Sequence, residues 1–225
     1  MNTASPIAPA SPDMPEELAS LEALPDQVRG AEFQGQCLSG LDLAGVDAAD
    51  VLVAESRIEN VDLSASDLRR ASMKDVVILG GSLANADLSN ATLQRVEMQG
   101  VRLNGAVMSA SKISDVSFID CRIDLAVIRF AELERVRFDN CLLQEADLYE
   151  TKFWCVLFAG CDLTQASLAK VAFVRCEMRS CNLDGVGDPE GLRGVGMPWP
   201  DIVRSAESLA AAAGVHVVDN DPRED

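Results

Sequence analysis

Hydrophobic residues recur at every fifth position along most of the chain. The pattern runs from Phe33 to Leu183 without an insertion or deletion, and all 31 of these central positions are apolar. The position two residues before each centre is also restricted, because it holds Ala, Val, Ser, Thr, Cys or Gly in 29 of the 31 units. Only Gln36 and Leu41 depart from this rule. Residues 31–185 therefore form one uninterrupted array of five-residue repeats.

A period of five residues fits neither of the common secondary structures. It corresponds to a rotation of about 72° per residue, whereas a helix rotates by about 100° and a strand by about 180°. A chain that turns a corner every five residues, with four corners to a coil, places two side chains of each unit inside, one small and one large. The other three residues of each unit, which are polar and variable, then point outward.

Typical units read AEFQG, VDLSA, ADLSN, ADLYE and CDLTQ. In these units the chain resembles the pentapeptide repeat family, whose members follow the pattern A-(D/N)-L-x-x. The resemblance covers residues 31–185 and implies an all-β fold, a right-handed quadrilateral β-helix with four units to a coil. The 31 units correspond to about eight coils, and at a strand spacing of about 4.8 Å the rod is about 37 Å long.

Stacking the sequence at twenty residues predicts columns of like side chains inside the coil. Phe118, Phe138 and Phe158 share one column and are expected to form an aromatic ladder. Four further inward positions in one column are cysteines, for which we favour free buried thiols over a disulfide or a metal site. Cys37 and Cys155 are the two cysteines predicted to point outward.

The first thirty residues differ from the repeats in composition. They contain five prolines by position 25 and are predicted to form a flexible arm. Asp13 and Glu16 resemble a capping box, and Leu18, Leu21 and Leu24 form a short stripe at helical spacing. The sequence therefore predicts an N-terminal helix within residues 1–30 that covers the open edge of the first coil.

The repeat register ends at Val186, and residues 186–225 are predicted to form a C-terminal helical cap or a dimerisation tail. A helix is expected from Trp199 to about Ala213, followed by a short strand at VHVV. Trp154 is an outward aromatic residue, and docking of the tail helix is one explanation for it. The candidate residues of this cap or dimer interface are Trp154, Val174, Trp199, Ile202 and Leu209.

The formal net charge of −17 raises the possibility of DNA mimicry. The family resemblance implies it too, because some members protect DNA gyrase from quinolone drugs and are thought to present a DNA-like acidic rod. The repeats hold 23 acidic and 15 basic residues, whereas 37 Å of duplex DNA carries roughly 22 negative charges. Two neighbouring outward columns still predict an acidic edge as a candidate partner-binding surface. Its residues are Asp42, Asp47, Asp62, Asp67, Asp87, Asp147 and Glu150.

This acidic edge has a second interpretation. Asp or Asn before the central leucine belongs to the repeat motif, so these carboxylates are also explained as solvated parts of the fold. In either case an acidic edge argues against direct binding to nucleic acid, which requires a basic patch.

Catalytic chemistry finds little support in the sequence. The one histidine, His216, lies outside the repeats, so no Ser-His or Cys-His pair is expected within them. Gly35, Gly40 and Gly45 fall at repeat ends, where turns need them, rather than in a phosphate-binding loop. We therefore expect no cofactor, no metal and no enzyme activity.

Two functional hypotheses remain. The broader one is a non-enzymatic protein-interaction module, and the alternative is a DNA-mimicking protein that binds DNA gyrase and confers quinolone tolerance. No signal peptide or apolar run of membrane-spanning length is found, so a cytoplasmic location without a membrane span is expected. The protein partner is unknown, and a homodimer formed through the C-terminal tail is possible.

Overall fold

The fold is a parallel β-solenoid in a computed structural model that describes residues 6–21, 25 and 27–215. The strands are β1 (Ala19–Leu21), β2 (Glu32–Gln34), β3 (Gln36–Ser39), β4 (Leu52–Glu59), β5 (Ser72–Leu79), β6 (Thr92–Gln99), β7 (Lys112–Ile119), β8 (Glu132–Asp139), β9 (Lys152–Trp154), β10 (Leu157–Ala159), β11 (Ala172–Val174) and β12 (Glu177–Arg179). A 3₁₀ turn (Pro189–Leu192) and the helices α1 (Trp199–Arg204) and α2 (Ala206–Ala212) follow.

Each coil contains four pentapeptides and therefore four faces. In the coil of residues 131–150, the central residues of faces 1 to 4 are Leu133, Phe138, Leu143 and Leu148. Strands β4 to β8 each span faces 1 and 2 and pair in parallel at a shift of twenty residues. Faces 3 and 4 are connected between coils by isolated parallel bridges. The predicted solenoid of about eight coils is thus confirmed.

The corners depend on a left-handed backbone at every fifth residue. Positive φ angles occur throughout the array at these positions, including Gly35, Gly40 and Gly45, as the sequence predicted. Many non-glycine residues share this geometry, among them Asn60 and Leu125. None of these positions within the repeats is Val, Ile or Thr, which is expected because β-branched residues are the least tolerant of positive φ.

The predicted aromatic ladder lies in the axis of the rod. The ring centroids of Phe118 and Phe138 are 4.9 Å apart, and those of Phe138 and Phe158 are 4.8 Å apart, with the rings nearly parallel. Phe153 and Phe173 form a second stack at 5.0 Å on face 1. These stacks place the largest apolar side chains of the later coils out of water, where their burial stabilises the fold most.

The cysteine column is buried with free thiols, as predicted. Its Sγ atoms donate to backbone carbonyls, as Cys121 does to Met98 at 3.4 Å. The prediction that Cys155 points into solvent is wrong, because this residue is 2% exposed. It lies one coil from both Arg135 and Arg175 in the same column. Cys37 is partly exposed, in agreement with prediction.

The prediction of an N-terminal helix is wrong for the residues that the structure describes. Ala19–Leu21 is a strand that pairs in parallel with β3, and the Ala19 N–H donates to the Gly35 carbonyl at 2.9 Å. The open edge of the first coil offers unpaired backbone groups, and a strand satisfies these while an isolated helix cannot. Leu24, the last member of the predicted helical stripe, lies outside the described residues.

The predicted C-terminal helix is present as two short helices that meet at Ser205. The 3₁₀ turn contacts the last coil so closely that a Cβ at Gly191 would lie 2.2 Å from the Leu168 carbonyl oxygen. The predicted strand at VHVV falls mainly on residues 216–218, which lie outside the described part of the chain, as does His216.

Candidate functional site

A ladder of ion pairs follows the corner between faces 1 and 2. The outward residues of this corner, which we call the corner column, are Glu55, Asp75, Arg95, Asp115, Arg135, Cys155 and Arg175. Arg95 donates two hydrogen bonds to the Asp75 carboxylate, each at 2.6 Å, and Arg135 donates two to Asp115, each at 2.7 Å. These guanidinium groups lower the pKa of both carboxyl groups.

Both carboxylates are buried, and the N-terminal segment accounts for part of their surroundings. The Ala10 N–H donates to Asp115 Oδ1 at 3.1 Å, and the Asp13 N–H donates to Asp75 Oδ1 at 3.0 Å. The segment of residues 6–15, predicted to be a flexible arm, thus lies along the corner column. Composition alone did not indicate this contact. The spacing of Pro6, Pro9, Pro12 and Pro15 at every third residue was the signal available in the sequence.

The aspartates of the predicted acidic edge all have a role in the turns. The Oδ1 atom of each accepts a backbone N–H from the residue two positions ahead, for example from Ser64 to Asp62 at 2.9 Å. The same bond is made by Asp42, Asp47, Asp67, Asp87 and Asp147. This arrangement explains why the motif favours a short acid or amide before the central residue.

Five members of the acidic edge also form ion pairs with neighbouring bases. Arg29 lies 3.0 Å from Asp47 and 3.7 Å from Asp67. Arg69 lies 2.5 Å from Asp67, which lowers the pKa of that carboxyl to about 2, and it is 3.9 Å from Asp87. Arg129 pairs with Asp147, and Lys170 with Glu150.

The edge is also divided along its length. On face 4, Val107 and Val127 separate Asp87 from Asp147, and on face 3 the two positions after Ser82 are Arg102 and Arg122. The aspartates at positions 47, 67 and 87 are stacked in successive coils, whereas Asp147 stands apart. The structure therefore brings together a three-coil acidic stack rather than one continuous acidic strip.

An apolar patch lies on face 1 near the C-terminal end. Trp154 and Val174 pair in register on adjacent coils and are 55% and 50% exposed. The tail helices leave both side chains exposed, so the expectation that the tail docks on Trp154 is wrong. A role for either residue in a dimer interface stays a prediction.

The tail caps the rod with both apolar and polar side chains. Asp201, Ser205 and Ser208 face the last coil: Asp201 Oδ2 accepts the Ser180 N–H at 2.8 Å, and Ser208 Oγ donates to the Leu183 carbonyl at 3.0 Å. Leu209 packs against the core, which agrees with the cap alternative, and Ile202 is half-buried.

Trp199, with 73% of its surface exposed, points away from the rod. Trp199 is therefore not a capping contact, and its role in a dimer interface stays a prediction.

A cleft of about 250 Å³ lies between the last coil and the tail, with Asp184, Arg204 and Glu207 in its lining. It is smaller than most ligand pockets, which measure about 300–1,000 Å³.

Within the described residues, no cluster of three or more His, Cys, Asp or Glu side chains has the geometry of a metal site. The described helices are all too short or too polar to cross a membrane.

Comparison with known proteins adds a family and several structures. The family model described as Pentapeptide repeats matches residues 80–109 and 156–186, with eight copies. Comparison with curated proteins finds no match.

Among solved structures, HetL of the cyanobacterium Nostoc sp. strain PCC 7120, described as involved in heterocyst differentiation regulation, is 16% identical with a TM-score of 0.44. The alignment covers 77% of this chain and 92% of HetL. Full-length QnrB1, a plasmid-mediated fluoroquinolone resistance protein, is 19% identical with a TM-score of 0.38, over 84% of this chain and 94% of QnrB1. The two matched segments are thus repeats of the pentapeptide repeat family, and the same unbroken five-residue register continues through residues 31–185.

Proposed function

We propose that this protein is a non-enzymatic, cytoplasmic protein-interaction solenoid that binds a protein partner through the patch around Trp154. The observation that carries the proposal is the in-register pair of exposed apolar side chains, Trp154 and Val174. Exposed apolar patches rimmed by polar residues mark interaction sites, and tryptophan is among the residues most enriched in binding hot spots. Seven free cysteines support a reducing location.

The residues around the patch indicate what the partner offers. Lys152 and Arg175 border it and are exposed, although the Lys152 ammonium also lies 3.0 Å from Glu132. A complementary surface therefore combines an apolar pocket for the indole with carboxylates at its rim. Such a rim contributes more to the association rate and specificity than to affinity.

A position-specific crosslink tests this proposal in the full chain. A photoreactive phenylalanine analogue is introduced at Trp154, with the same substitution at Phe130 as a control, because Phe130 is 52% exposed at a corner of the coil away from the patch. The expected result is one discrete protein adduct at position 154 and none at 130. For the purified adduct partner, Trp154→Ala should weaken binding by about 2 kcal/mol or more. Adducts of equal pattern at both positions, or unchanged affinity, would contradict the proposal.

The alternative function is binding of DNA gyrase by DNA mimicry, with quinolone tolerance as its consequence. The stacked aspartates at positions 47, 67 and 87 favour it, and their pairing with Arg29 and Arg69 counts against it. Gyrase supercoiling is measured against a titration of the purified protein, with and without ciprofloxacin. Inhibition, or rescue from the drug, that disappears when Asp47, Asp67 and Asp87 are changed to Lys supports mimicry. No effect at concentrations well above those of gyrase excludes it.

Self-association through the tail is a separate part of the proposal. Trp199 and Val203 lie one turn apart on α1 and are 73% and 58% exposed. Light scattering of the full chain and of Trp199→Ser tests it: a dimer that dissociates on substitution supports a tail interface, and a monomer in both cases excludes it.

A further inference from the structure

The N-terminal segment and the corner column share a spacing. Residues 10 and 13 donate their N–H groups to Asp115 and Asp75, so an advance of three residues in the segment matches two coils of the rod. Two coils span about 9.6 Å at the usual strand spacing. One turn of a polyproline II helix, with three residues rising about 3.1 Å each, spans about 9.3 Å. The two spacings therefore match closely over the turn that joins Ala10 and Asp13.

The sequence of the segment favours the polyproline II conformation. Pro6, Pro9, Pro12 and Pro15 fix φ at every third residue, and the residue before each proline is also restricted to extended geometry. Proline has no N–H, so the donor falls on the residue that follows it, as at Ala10 and Asp13. The prolines at 6, 9 and 12 are half-buried, while the residues between them are exposed.

The corner column supplies acceptors at the matching spacing. Its acidic and basic residues alternate from Asp75 to Arg135, so the carboxylates of Asp75 and Asp115 lie two coils apart. Each carboxylate is held by two hydrogen bonds from the following arginine, which orients Oδ1 toward the segment. Binding to a carboxylate that is already held in place has a smaller entropic cost than binding to a mobile one, because no side-chain entropy is lost.

We propose that the corner between faces 1 and 2 is a binding surface for proline-rich polyproline II segments with one proline at every third residue. The chain's own residues 6–15 are its intramolecular ligand, and a partner segment of the same chemistry binds by displacing them. The contact is small, with two hydrogen bonds and a few half-buried rings. It owes its occupancy to the high effective concentration of a tethered segment. This surface is separate from the Trp154 patch and does not depend on it.

The first test uses a full-length variant whose own segment is weakened. Pro6→Ala, Pro9→Ala and Pro12→Ala together remove the fixed geometry, and Pro25→Ala is the matched control because Pro25 lies outside the three-residue spacing. In the native chain and the control, the amides of Ala10 and Asp13 should exchange with solvent about tenfold more slowly than that of Ala8. In the triple variant this difference should disappear. Equal exchange at all three amides in the native chain would overturn the proposal.

The second test adds the ligand in trans. A fluorescent peptide of residues 6–16 is titrated into the triple variant and followed by anisotropy, beside a peptide of equal composition with irregular proline spacing. The periodic peptide should bind the triple variant about tenfold more tightly than the irregular peptide does, and more tightly than it binds the native chain. Adding Asp75→Ala and Asp115→Ala should abolish binding, with thermal unfolding as the check that the rod is folded.

Three results would overturn the assignment. Equal binding of the two peptides would show that spacing is not recognised, and no binding up to about 1 mM would show that the corner is not a ligand surface. A native chain that is dimeric by light scattering and monomeric in the triple variant would assign the segment to a second copy. The peptide comparison remains decisive even if the aspartate variants fail to fold.

Discussion

Replacing Leu125 tests whether left-handed turn geometry limits the stability of the rod. Leu125 occupies a repeat end with φ of 59° and is 57% exposed, so its side chain contributes little burial. An L-residue other than glycine loses about 1–2 kcal/mol in this conformation. Asparagine tolerates it best after glycine, and it stands at equivalent turns such as Asn60 and Asn85. We expect Leu125→Asn to stabilise the fold by about 1 kcal/mol and Leu125→Val to destabilise it by a similar amount.

Leu52 provides the matched control. It is also an exposed leucine, at 42%, but it lies in strand β4, where β-branched residues are favoured. There the order should reverse, with Leu52→Val neutral or stabilising and Leu52→Asn destabilising by up to about 1 kcal/mol. Urea unfolding followed by circular dichroism measures all four variants. If Asn and Val shift the free energy of unfolding in the same direction at position 125, backbone geometry does not control these turns.

Three further predictions follow from the core, the cap and the corner column. Phe138→Ala, which removes the middle ring of the stack, should destabilise the fold by about 3–5 kcal/mol in urea unfolding; Phe130→Ala, at an exposed ring, should cost less than about 1.5 kcal/mol.

Gly191→Ala should displace the tail from the Leu168 carbonyl, costing about 1–3 kcal/mol, and hydrogen exchange at the Ser180 amide should accelerate. Arg135 lowers the pKa of Asp115. The contribution of this ion pair to the stability of the fold is therefore complete at neutral pH, and it is lost only as pH falls below the ordinary carboxyl value of about 3.9. The Ala10 amide chemical shift should therefore titrate with a midpoint below that value, and a midpoint above it would contradict the ion pair.

The solenoid could be predicted from sequence because the inward positions repeat at a fixed interval. A central apolar residue at every fifth position specifies both the faces and the axis, so the column of Phe118, Phe138 and Phe158 followed directly from counting. The positions at repeat ends could be identified as turns for the same reason. These features depend only on spacing within the array, which the sequence shows completely.

The ends could not be predicted in the same way, because their structure depends on what the terminal coils leave unpaired. Leu18 and Leu21 have helical spacing, yet the backbone edge of β3 pairs with Ala19–Leu21 as a strand. At the other end, Asp201 and Ser208 face the rod because the Ser180 N–H and the Leu183 carbonyl need partners. In both places hydrogen bonding of the backbone outweighs the local pattern of apolar residues.

Much of the negative charge of this protein is paired with backbone amides or arginines and is therefore less available to attract a basic partner. The acidic residues of face 4 each bind a turn amide, and Arg29 and Arg69 lie between the stacked aspartates, so much of this edge serves the fold itself. Long-range attraction of a basic partner depends on charge that is not already paired. Recognition is then expected to depend on features that the repeat motif does not require. Two such features are the exposed indole of Trp154 and the pair of buried carboxylates, Asp75 and Asp115, that lie two coils apart in the corner column.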